Sequence, residues 1–145
     1  SIPVMKKYGR NRYIFGASNK KNFWNLIKNF LRNPLIRTFA FDTELENNLV
    51  AGGFSALAQY SMLADNDYPT YAVAKENLKE LQISKLKQTP NGETPVCVLQ
   101  ELGYMIKYKN INAVDPLTLY LLFDKENNDP RIEIAIDEML EEYVW

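Results

Sequence analysis

The chain has 145 residues, 46% hydrophobic and 24% charged, which is length and composition for one globular domain with a real core and no apolar run near the roughly 20 residues of a membrane span. It holds no histidine and one cysteine, which excludes Ser-His-Asp and Cys-His nucleophile systems, histidine-bearing zinc sites and four-thiolate zinc sites within the chain, while a magnesium site built from carboxylates stays open. The net charge of −1 hides a segregation: residues 1–41 carry nine Lys and Arg and no acidic residue, and residues 42–145 carry 8 basic and 18 acidic side chains, so a basic end able to dock on phosphate precedes an acidic body that cannot.

In chain order, residues 2–15 read as two short strands around a turn. Ile2, Val4 and Met5 precede Tyr8-Gly9-Arg10-Asn11, and Tyr13, Ile14 and Phe15 follow it. Gly and Asn supply the turn and the flanks are β-branched and aromatic. Ser18 or Asn19 caps a helix to about Arg32, with Phe23, Ile27, Phe30 and Leu31 in a stripe widened by Trp24 and Leu26, and Asn33-Pro34 stops it. Leu35–Phe41 reads as a strand and residues 42–50 as a polar loop. Gly52-Gly53 leads into a small-residue helix over 54–63, with Phe54, Leu57, Ala58 and Met62 at helical spacing; this reads as the buried central helix. After the loop at 64–69 come a strand at Thr70–Ala74 and a short helix at Lys75–Leu81. Residues 82–88 fit either strand or helix end, and Thr89-Pro90-Asn91-Gly92 is a turn. Pro95–Glu101 and Tyr104–Tyr108 are predicted strands separated by Gly103. Asp115-Pro116 and Asp129-Pro130 are two caps followed by proline at the first helical position. They open an apolar helix over 117–123 and a final helix whose Ile132, Ala135, Ile136, Met139, Leu140 and Tyr143 form a stripe among Glu133, Asp137, Glu138, Glu141 and Glu142.

These elements predict an α+β fold, a small mixed sheet packed with about five helices. Residues 1–16 form a basic β-hairpin, readable as the remnant wing of a preceding winged helix, and residues 17–145 form one regulatory or interaction domain. The chain begins Ser-Ile-Pro-Val-Met, which suits either a processed start or a piece lacking an upstream domain. Charge without an apolar segment behind it predicts no secretory signal, and the lone cysteine fits a reducing cytoplasm.

Few residues point to chemistry. Lys6, Lys7, Arg10 and Arg12 sit on the hairpin and its shoulders, where cations contact phosphate in an affinity-giving, sequence-neutral way; a solvated basic hairpin is the plain alternative. The carboxylates of the last helix lie on a polar face rather than in a cleft, so solvent or a partner is their expected surrounding. Asp65 and Asp67 have a calcium-loop spacing, but Glu76 falls one position short of closing the ligand set. Gly52-Gly53 stands at a helix start able to hold an anion, yet lacks the closing Gly-Lys of a P-loop. Cys97, in an apolar run with no histidine to activate it, reads as a small hydrophobe. Tyr143 and Trp145 either anchor the last turn or meet a partner.

Three segments together resemble a known family. They are Arg12-Tyr13-Ile14-Phe15 with Trp24 and Asn33-Pro34; Gly52 to Ala64 followed by Pro69-Thr70-Tyr71-Ala72-Val73; and Asp115 to Leu121, then Asp129-Pro130-Arg131, Met139-Leu140-Glu141-Glu142 and Trp145. In order and spacing the pattern is similar to the C-terminal region of bacterial winged-helix regulators of the MarR-like kind, some of which sit beside nucleotidyltransferase toxins of the abortive-infection, type IV toxin–antitoxin kind. The family's small helix often carries histidine where this chain has Gln59. The resemblance implies a non-enzymatic regulatory domain of a bacterial transcriptional regulator or antitoxin-like protein, without cofactor or metal. It implies DNA contacts mainly through an upstream part, a nucleotidyltransferase-like toxin or a second copy as protein partner, no membrane, and a cytoplasmic location. The alternative is a protein-interaction domain with no DNA contact of its own.

Overall fold

The computed structural model describes residues 7–8, 12–13, 22, 24, 32–45, 49–106, 111–123 and 129–145. The chain divides into two compact units, residues 1–32 together with Trp145, and residues 33–144. The boundary expected at 16/17 falls inside the first of them.

In the first unit, β1 (Lys7–Tyr8) pairs antiparallel with β2 (Arg12–Tyr13). The hairpin is therefore tighter than the sequence suggested: Tyr8, read as part of the turn, joins the ladder opposite Arg12. Ile2, Val4, Met5, Ile14 and Phe15 lie outside the described residues. Asn22 and Trp24 are helical and Arg32, the expected end of that helix, is irregular; the remaining residues of the helix, with the Phe23, Ile27, Phe30 and Leu31 stripe, lie outside the described residues.

The second unit is α+β. Its four-stranded mixed sheet runs in the order β3 (Leu35–Phe41), β6 (Cys97–Leu102), β5 (Thr70–Ala74), β4 (Val50–Ala51). β3 is antiparallel to β6, β6 parallel to β5, and β5 antiparallel to β4. Parallel neighbours require a crossover, and here it is two short 3-10 helices, Lys75–Leu81 and Ile83–Lys85. The expected helix at 75–81 is thus a tighter one. Two sequence expectations change. Val50, placed in a loop, pairs with Ala72. Tyr104–Tyr108 is not a second strand after β6: Tyr104, Met105 and Ile106 are irregular, and residues 107–108 lie outside the described residues. A strand returning beside β6 has no place, because both edges of β6 are already taken by β3 and β5.

The sheet has two covered faces. On one, α1 (Gly53–Tyr60), α2 (Pro116–Phe123) and α3 (Pro130–Tyr143) pack against one another and α1 lies on β5. Ala72, Leu102 and Val114 form the buried centre there, with Leu35, Val50 and Leu122 around them. On the other, Phe41, Val73, Cys97 and Leu99 are covered by Leu78, Leu81, Ile83 and Leu86 of the 3-10 layer. A bulge between Leu35 and Arg37 lets β3 serve both faces. Strict alternation would put Leu35 on the same side as Phe39 and Phe41; the extra residue turns it to the helix side.

The helix ends follow from their sequences. The Asp115 carboxylate accepts from the Thr118 N–H at 3.2 Å and that of Asp129 from the Arg131 N–H at 2.9 Å, each with proline next in the chain. α1 stops at Tyr60 instead of Leu63. The Ser61 hydroxyl donates to the Leu57 carbonyl at 2.8 Å and accepts from the Leu63 N–H at 3.2 Å, replacing the next helical turn. The buried face of α1 is Ser55, Ala56, Leu57 and Tyr60, rotated from the expected Phe54, Leu57, Ala58, Met62 stripe; Met62 stands 91% exposed. Among the described residues no helix is long and apolar enough to cross a membrane.

Candidate functional site

Most of the residue groups singled out in the sequence lie among the described residues, and most of their places are structural. Asp65 is held by its own neighbours: its Oδ1 accepts from the Ser55 hydroxyl at 3.0 Å and from the Asn66 N–H at 2.7 Å, and the Ser55 oxygen accepts from the Thr70 N–H at 2.8 Å. The pair Asp65/Asp67 therefore belongs to a loop stitched to α1 and β5. Among the described residues, no group of three or more His, Cys, Asp and Glu is placed to hold a metal ion.

The glycine pair at the start of α1 is set by close packing. A Cβ on Gly52 would lie 2.8 Å from the Ala72 Cβ and 3.0 Å from Gln100 Oε1. Gly53 has φ +44°, the left-handed region, and its Cβ would approach Gln100 Nε2 at 3.1 Å. Two adjacent glycines let the helix start descend onto the sheet. Cys97 is buried with its thiol donating to the Thr43 carbonyl at 3.3 Å. Burial pushes its pKa up, a smaller push comes from the Glu44 charge, and a hydrogen bond from the Leu45 backbone opposes both. The thiol is held in its neutral, unreactive form.

On the basic hairpin, Lys7 stands opposite Tyr13 and Arg12 opposite Tyr8. Lys6 and Arg10 lie outside the described residues.

The final helix separates its faces as its sequence predicts. Ile132, Ala135, Ile136, Met139 and Leu140 are buried, and Tyr143 meets Tyr60 edge-on with ring centroids 5.1 Å apart. The Tyr60 hydroxyl donates a buried hydrogen bond to the Val114 carbonyl at 2.9 Å. The outward face carries Glu133, Asp137, Glu138, Glu141 and Glu142, all exposed. Amid them Ile134 is 58% exposed, and the backbone N–H of the exposed Met62 lies 3.5 Å from Glu138 Oε2. At the helix start the Asp129 carboxyl is held below the usual range by hydrogen bonds from the Arg131 side chain and backbone.

Sequence reasoning missed two features. The first is a cross-strand ion pair: Arg37 Nε donates to Glu101 Oε1 at 2.8 Å, with the carboxylate side chain only 8% exposed, and the guanidinium lies 5.1 Å from the Phe39 ring centre. Arg37 and Glu101 are directly opposed in the β3–β6 register, which no local pattern reveals. The second is a cavity of about 530 Å³ beside the 3-10 layer, lined by Lys75, Lys79 and Lys85. The strongly acidic balance of residues 42–145 concealed it. Comparison with protein-family models, with curated proteins and with solved structures gives no match for the chain.

Proposed function

We propose that this chain is a non-enzymatic, partner-binding regulatory domain of a bacterial DNA-associated regulator or antitoxin-like protein. The observation that carries the reading is the outward face of α3, where Ile134 is 58% exposed beside Glu133, Asp137 and Glu138, with Arg131 one turn before it. The 91% exposed Met62, whose backbone N–H lies 3.5 Å from Glu138, adds a second exposed apolar side chain near this charged face, and apolar residues with a charged rim suit a docking surface. Its acidic character fits a basic protein surface, such as that of a nucleotidyltransferase-like toxin or the basic segment of a second copy. The Asp and Glu groups there are spread along a solvated face rather than converging in a cleft, which supports binding rather than acid–base chemistry.

The DNA side of the reading rests on charge. Eight of the nine Lys and Arg of the acid-free residues 1–41 fall in the first compact unit, and the ninth, Arg37, lies in the second. Lys6, Lys7, Arg10 and Arg12 are the phosphate contacts we assign. Replacing all four with alanine weakens binding to duplex DNA and flattens the salt dependence by about 0.9 log unit per lost phosphate contact, read by fluorescence anisotropy over a salt series. An unchanged slope overturns the assignment. The second reading, an interaction domain with no DNA contact of its own, is favoured by the 18 acidic against 8 basic side chains of residues 42–145. It stands if the chain leaves DNA unbound at low salt yet loses partner association in an Ile134→Glu variant measured by light scattering.

A further inference from the structure

The acidic body contains a cationic site. Lys75 and Lys79 come from the first 3-10 helix and Lys85 from the end of the second. The joint between these helices is Gln82, which has φ 49° and ψ 49°. A non-glycine residue in the left-handed region is uncommon and is kept only where the surroundings fix it. Here two backbone bonds do so: the Gln82 N–H donates to the Lys79 carbonyl at 3.2 Å and the Lys85 N–H to the Gln82 carbonyl at 2.9 Å. The reversal folds the second helix back, so that all three lysines line one cavity of about 530 Å³ with Leu78, Ile83 and Glu101.

The charges around this cavity do not cancel. Glu101 is already bonded to Arg37 at 2.8 Å. Among the described residues, none of the three lysines has an ion pair; the pairs present are Arg37–Glu101, Lys87–Asp42 and Arg131–Asp129. The other carboxylates of the first 3-10 helix, Glu76 and Glu80, do not line the cavity; Glu80 and Glu44 line an adjoining cavity of about 420 Å³, which Lys85 borders as well. Three lysines thus stand against one carboxylate already held by Arg37, so the lining carries a net positive charge that favours an anion.

We propose that this cavity binds a small, soluble phosphate monoester with an apolar body. Ammonium groups are compact point charges suited to a phosphate dianion. Bare phosphate needs far less room than this cavity offers, whose size lies in the range of organic ligand sites. Leu78 and Ile83 provide an apolar wall for the remainder of such a molecule, and their own packing ties the site to the core beneath the sheet. A ligand here bridges both 3-10 helices across Gln82, so binding stiffens the crossover that joins β5 to β6.

The test is a titration of the whole chain with phenyl phosphate, followed through backbone amide NMR signals, with inorganic phosphate, duplex DNA and phosphatidic acid vesicles as separate arms. Saturable shifts confined to residues 75–85 are expected with phenyl phosphate, and weaker ones with inorganic phosphate. The Lys75→Ala/Lys79→Ala/Lys85→Ala variant, whose replaced side chains are all exposed, keeps its spectrum and loses about tenfold or more in affinity. Lys87→Ala, which alters a lysine paired with Asp42 at 3.6 Å outside the cavity, keeps the affinity. The proposal is overturned if phenyl phosphate gives no saturable shift at about 10 mM, if the triple variant binds as well as the wild type, or if only DNA or vesicles move these signals.

Discussion

Single residues matter most where one atom decides whether two layers meet. At Gly52 an added methyl would stand 2.8 Å from the Ala72 Cβ, inside any contact a side chain tolerates, so Gly52→Ala overpacks the α1–β5 contact and costs about 1–3 kcal/mol. Gly53→Ala meets a softer neighbour, the Gln100 amide at 3.1 Å, but must hold φ +44°, a left-handed strain of about 1–2 kcal/mol. Urea unfolding of the two variants checks both values. Arg37 presents a different case. Its guanidinium is 59% exposed while its Glu101 partner is buried, so Arg37→Ala strands a buried carboxylate that water reaches only in part. A loss of about 1–2 kcal/mol follows in thermal unfolding. Cys97 is buried and its pKa raised, so a thiol reagent labels it only as the protein unfolds.

The elements owe their positions to ends and irregularities as much as to stripes. α3 begins on the Asp129 carboxylate, whose pKa is lowered by the Arg131 side-chain and backbone hydrogen bonds. A carboxyl with a depressed folded-state pKa stabilises the fold at pH above its unfolded value, and that contribution is lost as pH falls through the folded value. The wild type should therefore be more stable than Asp129→Asn at neutral pH, and the difference should vanish in acid, in a series of helical circular-dichroism melts. Along the same helix Met139 is fully buried and Ile134 exposed. Met139→Ala costs about 2–4 kcal/mol, whereas Ile134→Ala stays within about 0.5 kcal/mol; equal losses would mean that the helix faces are reversed. Other elements depend on context. The bulge in β3 turns Leu35 to the helix side, and Gln82 turns the crossover back on itself.

At the scale of the whole molecule, the second unit is a sheet covered on both faces, with its edges partly closed. Ala113 bridges to Ala51 beyond β4, and Gln88 bridges to Phe41 beyond β3. Such short caps limit edge-to-edge association. Because this unit has its own buried clusters on both faces of the sheet, a fragment of residues 33–144 should unfold cooperatively, with coincident fluorescence and circular-dichroism transitions. The charge pattern also belongs to this scale. The all-basic stretch ends close to the boundary between the two units, while the lysine cavity interrupts the acidic body.

The helix caps at Asp115 and Asp129, the stripe of α3, the β3, β5 and β6 strands, the hairpin and the α+β class were legible in the amino-acid order, because caps, periodicity and turn residues act over a few positions. The charge segregation was legible by counting. What only the tertiary structure decided is which strand lies beside which, and everything that follows from it. The central place of β6 leaves no room for a strand after Gly103. The β3–β6 register sets Arg37 against Glu101, sixty-four positions apart in the chain. The reversal at Gln82 gathers Lys75, Lys79 and Lys85, which the sequence presents as ordinary members of a mixed-charge stretch. Local order fixes the elements because its forces are short-ranged; the sites arise from pairings distant in the chain, set by burial of the two faces of one sheet.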